Sequence, residues 1–150
     1  MKWDLVQGEF IKKLYSGAKV WYYMEGNHAG MIQMMNSYII FRCPVFYCYV
    51  AFPDPCNLKD DLIYKAWHGK TAPTLLVPKC VELYQRKPVQ VLVNAETGDD
   101  IKVNTTFYSK FVEKADQLTF WGTDYRSPVF AINGDSPDPE NIVFMVLPIA

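Results

Sequence analysis

Residues 127–150 read SPVFAINGDSPDPENIVFMVLPIA. Six consecutive apolar residues, Ile142 to Leu147, sit between a polar loop and a proline. They fall far short of the roughly 18 apolar residues of a membrane-spanning helix. A short apolar run bounded by turn signals fits a strand covered on both faces. The expected strand is Asn141 to Leu147. Gly134 to Pro139 supplies the turn before it, and Pro148 ends the ladder because it has no amide hydrogen to donate.

Working back along the chain, two more strands are expected, Pro128–Ile132 and Gln117–Trp121. Before them Phe107, Phe111, Val112 and Ala115 recur at helical spacing, which predicts a helix opened by an Asn104 or Thr105 cap and running to Ala115. Val89–Asn94 and Ile101–Val103 read as strands around a Glu96–Asp100 turn. The first third repeats this plan. Phe10, Ile11, Leu14 and Tyr15 predict a helix over Gly8–Ser16, with Gly17 at its C-cap. A strand is expected over Lys19–Met24, with a turn at Glu25-Gly26-Asn27. Gly30–Met35 and Tyr38–Cys43 read as a hairpin around Asn36-Ser37, and Phe46–Phe52 as a further strand. The middle differs. Asn57 caps a predicted helix Leu58–His68, and Pro78 opens a second, Lys79–Arg86. Leu75-Leu76-Val77 is ambiguous between a short strand and a buried connector.

The two helix-then-strand units align. Phe10-Ile11-Lys12-Lys13-Leu14-Tyr15 matches Phe107-Tyr108-Ser109-Lys110-Phe111-Val112, with Lys13 on Lys110. Each unit ends on a strand followed by proline, Cys43-Pro44 and Leu147-Pro148. A three-stranded unit with one helix leaves sheet edges and apolar surface open. Two such units joined edge to edge, both helices on one face, close that gap.

A helix followed by strands, used twice, resembles the DNA sliding-clamp superfamily. Ser127-Pro128-Val129-Phe130-Ala131-Ile132 and Met145-Val146-Leu147-Pro148-Ile149 are similar to the strands that end bacterial clamps. The likeness is best over residues 104–149. It implies one α+β clamp-like domain over residues 1–150: a half-motif at about 1–52, an inserted helical segment at about 53–88 and a second half-motif at about 89–150. Bacterial clamps carry three such domains per subunit; this chain has room for one. The resemblance also implies a helix face carrying Lys12, Lys13, Lys110 and Lys114 toward DNA, and a partner surface at Leu147, Pro148 and Ile149. The Arg-Leu that ends the family's pattern is missing here, where Ala150 stands alone.

The bulk numbers suit one ordinary folded domain. The chain has 150 residues, half of them hydrophobic, and fifteen basic against sixteen acidic residues. That composition builds a dense core and argues against non-specific nucleic-acid binding by the whole surface, leaving room for a local basic face. Cys43, Cys48, Cys56 and Cys80 form no C-x-x-C pair, and His28 and His68 lie far apart, so neither metal nor cofactor is expected. The cysteines read as small buried hydrophobes in a reducing cytoplasm. No membrane segment or targeting segment is visible.

The expectation is a cytoplasmic, non-catalytic DNA- or protein-binding module, of the trimmed kind that suits a phage or mobile element, and a candidate homo-oligomer. The rival is a small interaction protein that kept the fold, lost DNA and binds a host replication or defence factor. The third class is an enzyme with a site of scattered residues such as His68 with Cys56 or Cys80. No phosphate loop, zinc-protease motif or nucleophile elbow supports it. The strand aromatics Trp21, Tyr22, Tyr23, Trp121 and Tyr125 read as core and cross-strand pairs rather than base-stacking platforms.

Overall fold

The computed structural model describes residues 1–16, 20–21, 24–25, 28–29, 31–34, 39–47 and 62–149. In chain order these give α1 (Trp3–Tyr15), β1 (Val20–Trp21), β2 (Met24–Glu25), β3 (His28–Ala29), β4 (Met31–Met34) and β5 (Ile39–Arg42). There follow α2 (Leu62–Trp67), β6 (Thr74–Tyr84), β7 (Lys87–Asn94), β8 (Asp100–Asn104), β9 (Leu118–Gly122), β10 (Val129–Asn133) and β11 (Ile142–Val146). Short 3-10 turns occupy Val45–Tyr47, Thr105–Phe107, Ser109–Phe111 and Pro139–Asn141. The protein is therefore of mixed α+β class.

Among the described residues one antiparallel sheet runs in the order β1-β4-β5-β11-β10-β9-β6-β7-β8, and β2 pairs with β3 separately. The apolar run near the C-terminus lies inside this sheet, between β5 and β10, and all five residues of β11 are buried. A bulge explains how so unbroken a run fits. Ala131 pairs with Phe144 but Ile132 pairs with Ile142, so Val143 is an extra residue. Val143 and its neighbour Phe144 consequently both join the core on one face, while Ile142 and Met145 join the other.

The larger core lies on the first face. Trp3, Val6 and Phe10 of α1 pack there with Ile39, Phe41, Leu76, Leu92, Ile101, Val103 and Val146. Their spacing along α1 is i, i+3, i+7, the stripe of an amphipathic helix. Asp4 in its first turn and Lys12 and Lys13 in its last suit the helix dipole. The rings of Phe41 and Phe111 meet edge to face at 5.2 Å, and Tyr108 stacks on Phe144 at 4.8 Å. The second face is covered by α2, whose Ile63 and Trp67 pack on Ile40, Trp121, Phe130, Ile132 and Met145. Beyond β11 the chain turns to the far edge of the sheet. The Ile149 amide donates to the Lys102 carbonyl of β8 at 2.8 Å, so the run from β11 to β8 curls toward closure.

Three sequence expectations need correction. The helix expected from Asn104 or Thr105 to Ala115 is two 3-10 turns. Asn104 does cap, its Oδ1 accepting from the Thr106 amide at 2.9 Å, but Thr105, Thr106, Phe107 and Tyr108 are poor helix formers. The Lys2 amide also takes the Phe111 carbonyl at 2.7 Å and holds the segment in its turn geometry. The helix expected over Lys79–Arg86 is instead the outer half of β6. β6 is integral to the sheet, joining β9 to β7. The strand expected over Phe46–Phe52 begins instead with the turn Val45–Tyr47, and 48–52 lie outside the described residues. The Leu58–His68 helix is present as Leu62–Trp67, and its expected Asn57 cap lies outside the described residues. The Gly17 cap and the turns at Gly26-Asn27 and Asn36-Ser37 also lie outside them.

Candidate functional site

The lysines expected to face DNA come partly together. Lys110 Nζ lies 3.1 Å and Lys12 Nζ 3.8 Å from the same Glu9 carboxylate, which bridges α1 to the Ser109–Phe111 turn. Lys13 adds its charge to the same group. The hydrogen bond from Lys110, opposed by partial burial and helped by the charges of Lys12 and Lys13, holds the Glu9 carboxyl below its ordinary pKa. The patch is a cluster of lysines around a carboxylate, not an open basic face. Lys114 is exposed on the loop after the turn and forms no ion pair with a described residue. The expected partner surface is divided. Leu147 is exposed, while Pro148 and Ile149 are half-buried where the chain end returns to β8.

The residues weighed for catalysis are scattered. Cys43 is buried and its thiol points to the Pro44 carbonyl. Cys80 is exposed on β6, the His68 ring lies tilted against Tyr64 with centroids 4.3 Å apart, and Cys48 and Cys56 lie outside the described residues. Among the described residues no group of three or more His, Cys, Asp or Glu side chains could hold a metal ion. No described helix is long and apolar enough to cross a membrane.

A cleft of about 640 Å³ opens beside the N-terminus, lined by Asp4, Arg42, Glu113, Asp116 and Glu140 among others. Its charges are largely spent on structure. Both Asp116 oxygens lie 2.8 Å from the Met1 amine, and they also accept from the Glu113 amide and the Asn133 side chain. Arg42 donates to the Pro139 carbonyl. This cleft ties the N-terminus to the ends of β10 and β11.

The feature that sequence reasoning missed is the β6–β7 hairpin. From Val77 to Pro88 every residue is exposed, although the two strands stay paired on either side of a bulge at Lys79, up to Tyr84 and Lys87. Val81 is 62% and Leu83 78% exposed, and Tyr84 also faces solvent. Cross-strand partners share a face, so Val81 and Leu83 lie together beside Gln90 and Pro88, with Glu82 and Tyr84 behind. Gln90 fastens the root, its side-chain amide donating to the Cys80 carbonyl at 3.0 Å. The hairpin turns through Gln85 and Arg86, with φ of 49° and 65°. Two left-handed residues in a two-residue loop are the geometry usually given to Asn-Gly. That signal is absent here, and Val81 and Tyr84, three apart after a proline, imitate a helix.

Comparisons of the chain with protein-family models, with curated proteins and with solved structures find no match.

Proposed function

We propose that the protein is a non-catalytic protein-binding module whose contact surface is the β6–β7 arm. The observation that carries this reading is the exposure of Val81 and Leu83 on a hairpin whose strands are paired from Cys80 to Tyr84 while every residue from Val77 to Pro88 is exposed. Isolated exposed apolar residues are ordinary; a row of them on an ordered projection marks a surface built to be covered. The test is a photo-crosslinking residue placed at Leu83, with the exposed Tyr15 as a control site. A discrete crosslinked protein at position 83 but not at 15, whose purified form loses affinity for Val81→Lys/Leu83→Lys, is the expected result. Crosslinking that is the same at both sites, or affinity untouched by the double variant, overturns it.

A DNA-binding role is the second reading, favoured by the gathering of Lys12, Lys13 and Lys110 about one carboxylate. If those three lysines met phosphates, log K would fall with log salt at a slope of about −2.7. Fluorescence anisotropy of a labelled duplex across a salt series measures it, and a flat response rejects it. The clamp-like reading of the fold rests on strand order. β1-β4-β5 is mirrored by β9-β10-β11, with β5 and β11 joined, and α1 and the Thr105–Phe111 turns pack on the same face. That order supports two diverged half-motifs, the second with its helix reduced to turns.

A further inference from the structure

Resting on the arm as a protein-docking surface, we propose that its outer edge binds a partner by strand addition: an extended apolar segment with an acidic N-terminal end, laid antiparallel on Cys80–Tyr84. Three observations carry this. First, β6 pairs with β9 only over Thr74–Leu76, so beyond that point β7 is its sole neighbour among the described residues. The outward backbone groups of Cys80–Tyr84 form an open edge, which folded proteins normally cover, shorten or charge. Pro78 and the bulge beside Lys79 blunt only the root of this edge. Second, the charges along the arm are already matched within the chain. Lys79 pairs with Asp100 at 3.5 Å and Glu82 with Lys102 at 3.0 Å. Arg86 and Lys87, at the turn, form no ion pair with a described residue and leave the tip positive. Third, the tip carries a cation where the backbone disfavours a side chain, since Arg86 has φ of 65°.

These features fix the chemistry of the occupant. Main-chain bonds supply attachment, and alternate apolar side chains lie beside Val81 and Leu83. An antiparallel strand brings its N-terminal end to the turn, so its acidic residues belong there, opposite Arg86 and Lys87.

The experiment uses the whole chain and a displayed library of random eight-residue peptides. Peptides are selected on the wild type and counter-selected on Val81→Lys/Leu83→Lys, after melting curves show that the variant folds. The expected winners alternate β-branched or aromatic residues and carry Asp or Glu at the N-terminal end. Methylating alternate amide nitrogens should weaken them by about tenfold or more. Arg86→Glu/Lys87→Glu should shift preference to basic ends. Winners that need Val81 and Leu83 but tolerate methylation, or lack acidic ends, overturn strand addition and leave the docking reading standing. Absence of any winner dependent on Val81 and Leu83 overturns both. A concentration-dependent dimer in analytical ultracentrifugation, lost in the Val81→Lys/Leu83→Lys variant, assigns the edge to a second copy and overturns the acidic-strand partner alone.

Discussion

Glu9 and Lys110 meet at 3.1 Å although 101 positions separate them in the chain. This pair docks α1 against the turn that replaces the expected second helix. Because the Glu9 carboxyl titrates below its ordinary range, its contribution is present above the unfolded pKa and lost as pH falls through the lower folded value. Both partners are partly exposed, so Glu9→Gln should cost only about 0.2–1 kcal/mol at neutral pH. Its stability difference from wild type should shrink in acid. The same variant unmasks Lys12, Lys13 and Lys110; stronger duplex binding by Glu9→Gln is the outcome that the DNA reading requires.

Asp116 offers a stronger acid-sensitive contact. Burial favours its neutral form, but hydrogen bonds from the Met1 amine, the Glu113 amide and Asn133 outweigh that, and its pKa is lowered. Asp116→Asn keeps the shape and removes the charge. It should destabilise the protein by about 1.5–3 kcal/mol at pH 7, the range for hydrogen bonds to a charged group. The gap should close as pH falls through the lowered pKa of Asp116, because the wild-type carboxylate is then protonated as well. Urea melts at pH 7 and pH 3 measure both statements, and a gap that persists in acid assigns the loss to shape rather than charge.

The arm's turn makes an opposite prediction, a gain. Arg86→Gly removes a side chain from a left-handed residue and should stabilise the fold by up to about 1 kcal/mol. It should also weaken whatever the arm binds. A variant more stable yet poorer at binding would show that Arg86 is kept for contact rather than folding.

How much of this was legible beforehand varies along the chain, for physical reasons. β9, β10 and β11 were readable because Val129–Ile132 and Ile142–Val146 are apolar runs, and Leu118–Trp121 is apolar apart from Thr119, each between clear turn signals. The Val143 bulge was not, since register depends on the partner strand. Phe107 and Phe111, four apart, share helical spacing, yet they end two separate 3-10 turns, Thr105–Phe107 and Ser109–Phe111. Phe111 is buried as expected, Phe107 is half-buried, and the side chain of Leu14 lies outside the described residues. The lysines were singled out by the clamp resemblance, with Lys13 set on Lys110 by the alignment of α1 with residues 107–112; the carboxylate among them was not, because Glu9 has no counterpart in that pattern. The arm was invisible because its turn has neither glycine nor asparagine and its helix-like spacing follows Pro78.

Phe111 tests the packing on the first face. It is nearly fully buried and meets Phe41 edge to face. Phe111→Ala should cost about 3–5 kcal/mol, by lost transfer energy and the cavity left behind. Tyr108, whose hydroxyl pKa is pushed up to about 12 by burial, reports on the same region. If the cavity admits water, the phenol should titrate closer to its ordinary value in Phe111→Ala. An unchanged denaturation midpoint would remove the core role assigned to the turn.

Trp67 tests the second face, which depends on a much smaller cover. α2 has only six residues, too few to be stable without tertiary contacts. Its hold on the sheet comes from Ile63 and Trp67, and the Trp67 ring meets Phe130 at 5.2 Å, nearly perpendicular. Trp67→Ala should therefore cost about 3–5 kcal/mol and release α2 as a unit. That leaves Ile40, Trp121, Phe130 and Met145 facing water on a sheet still held by the other core. The expected signature is binding of a hydrophobic fluorescent dye before the main unfolding transition, with faster amide exchange confined first to Leu62–Trp67. Phe111→Ala should instead lower one cooperative transition without early dye binding. The same single transition in both variants would mean that the two faces unfold together and that α2 is not a separately removable cover.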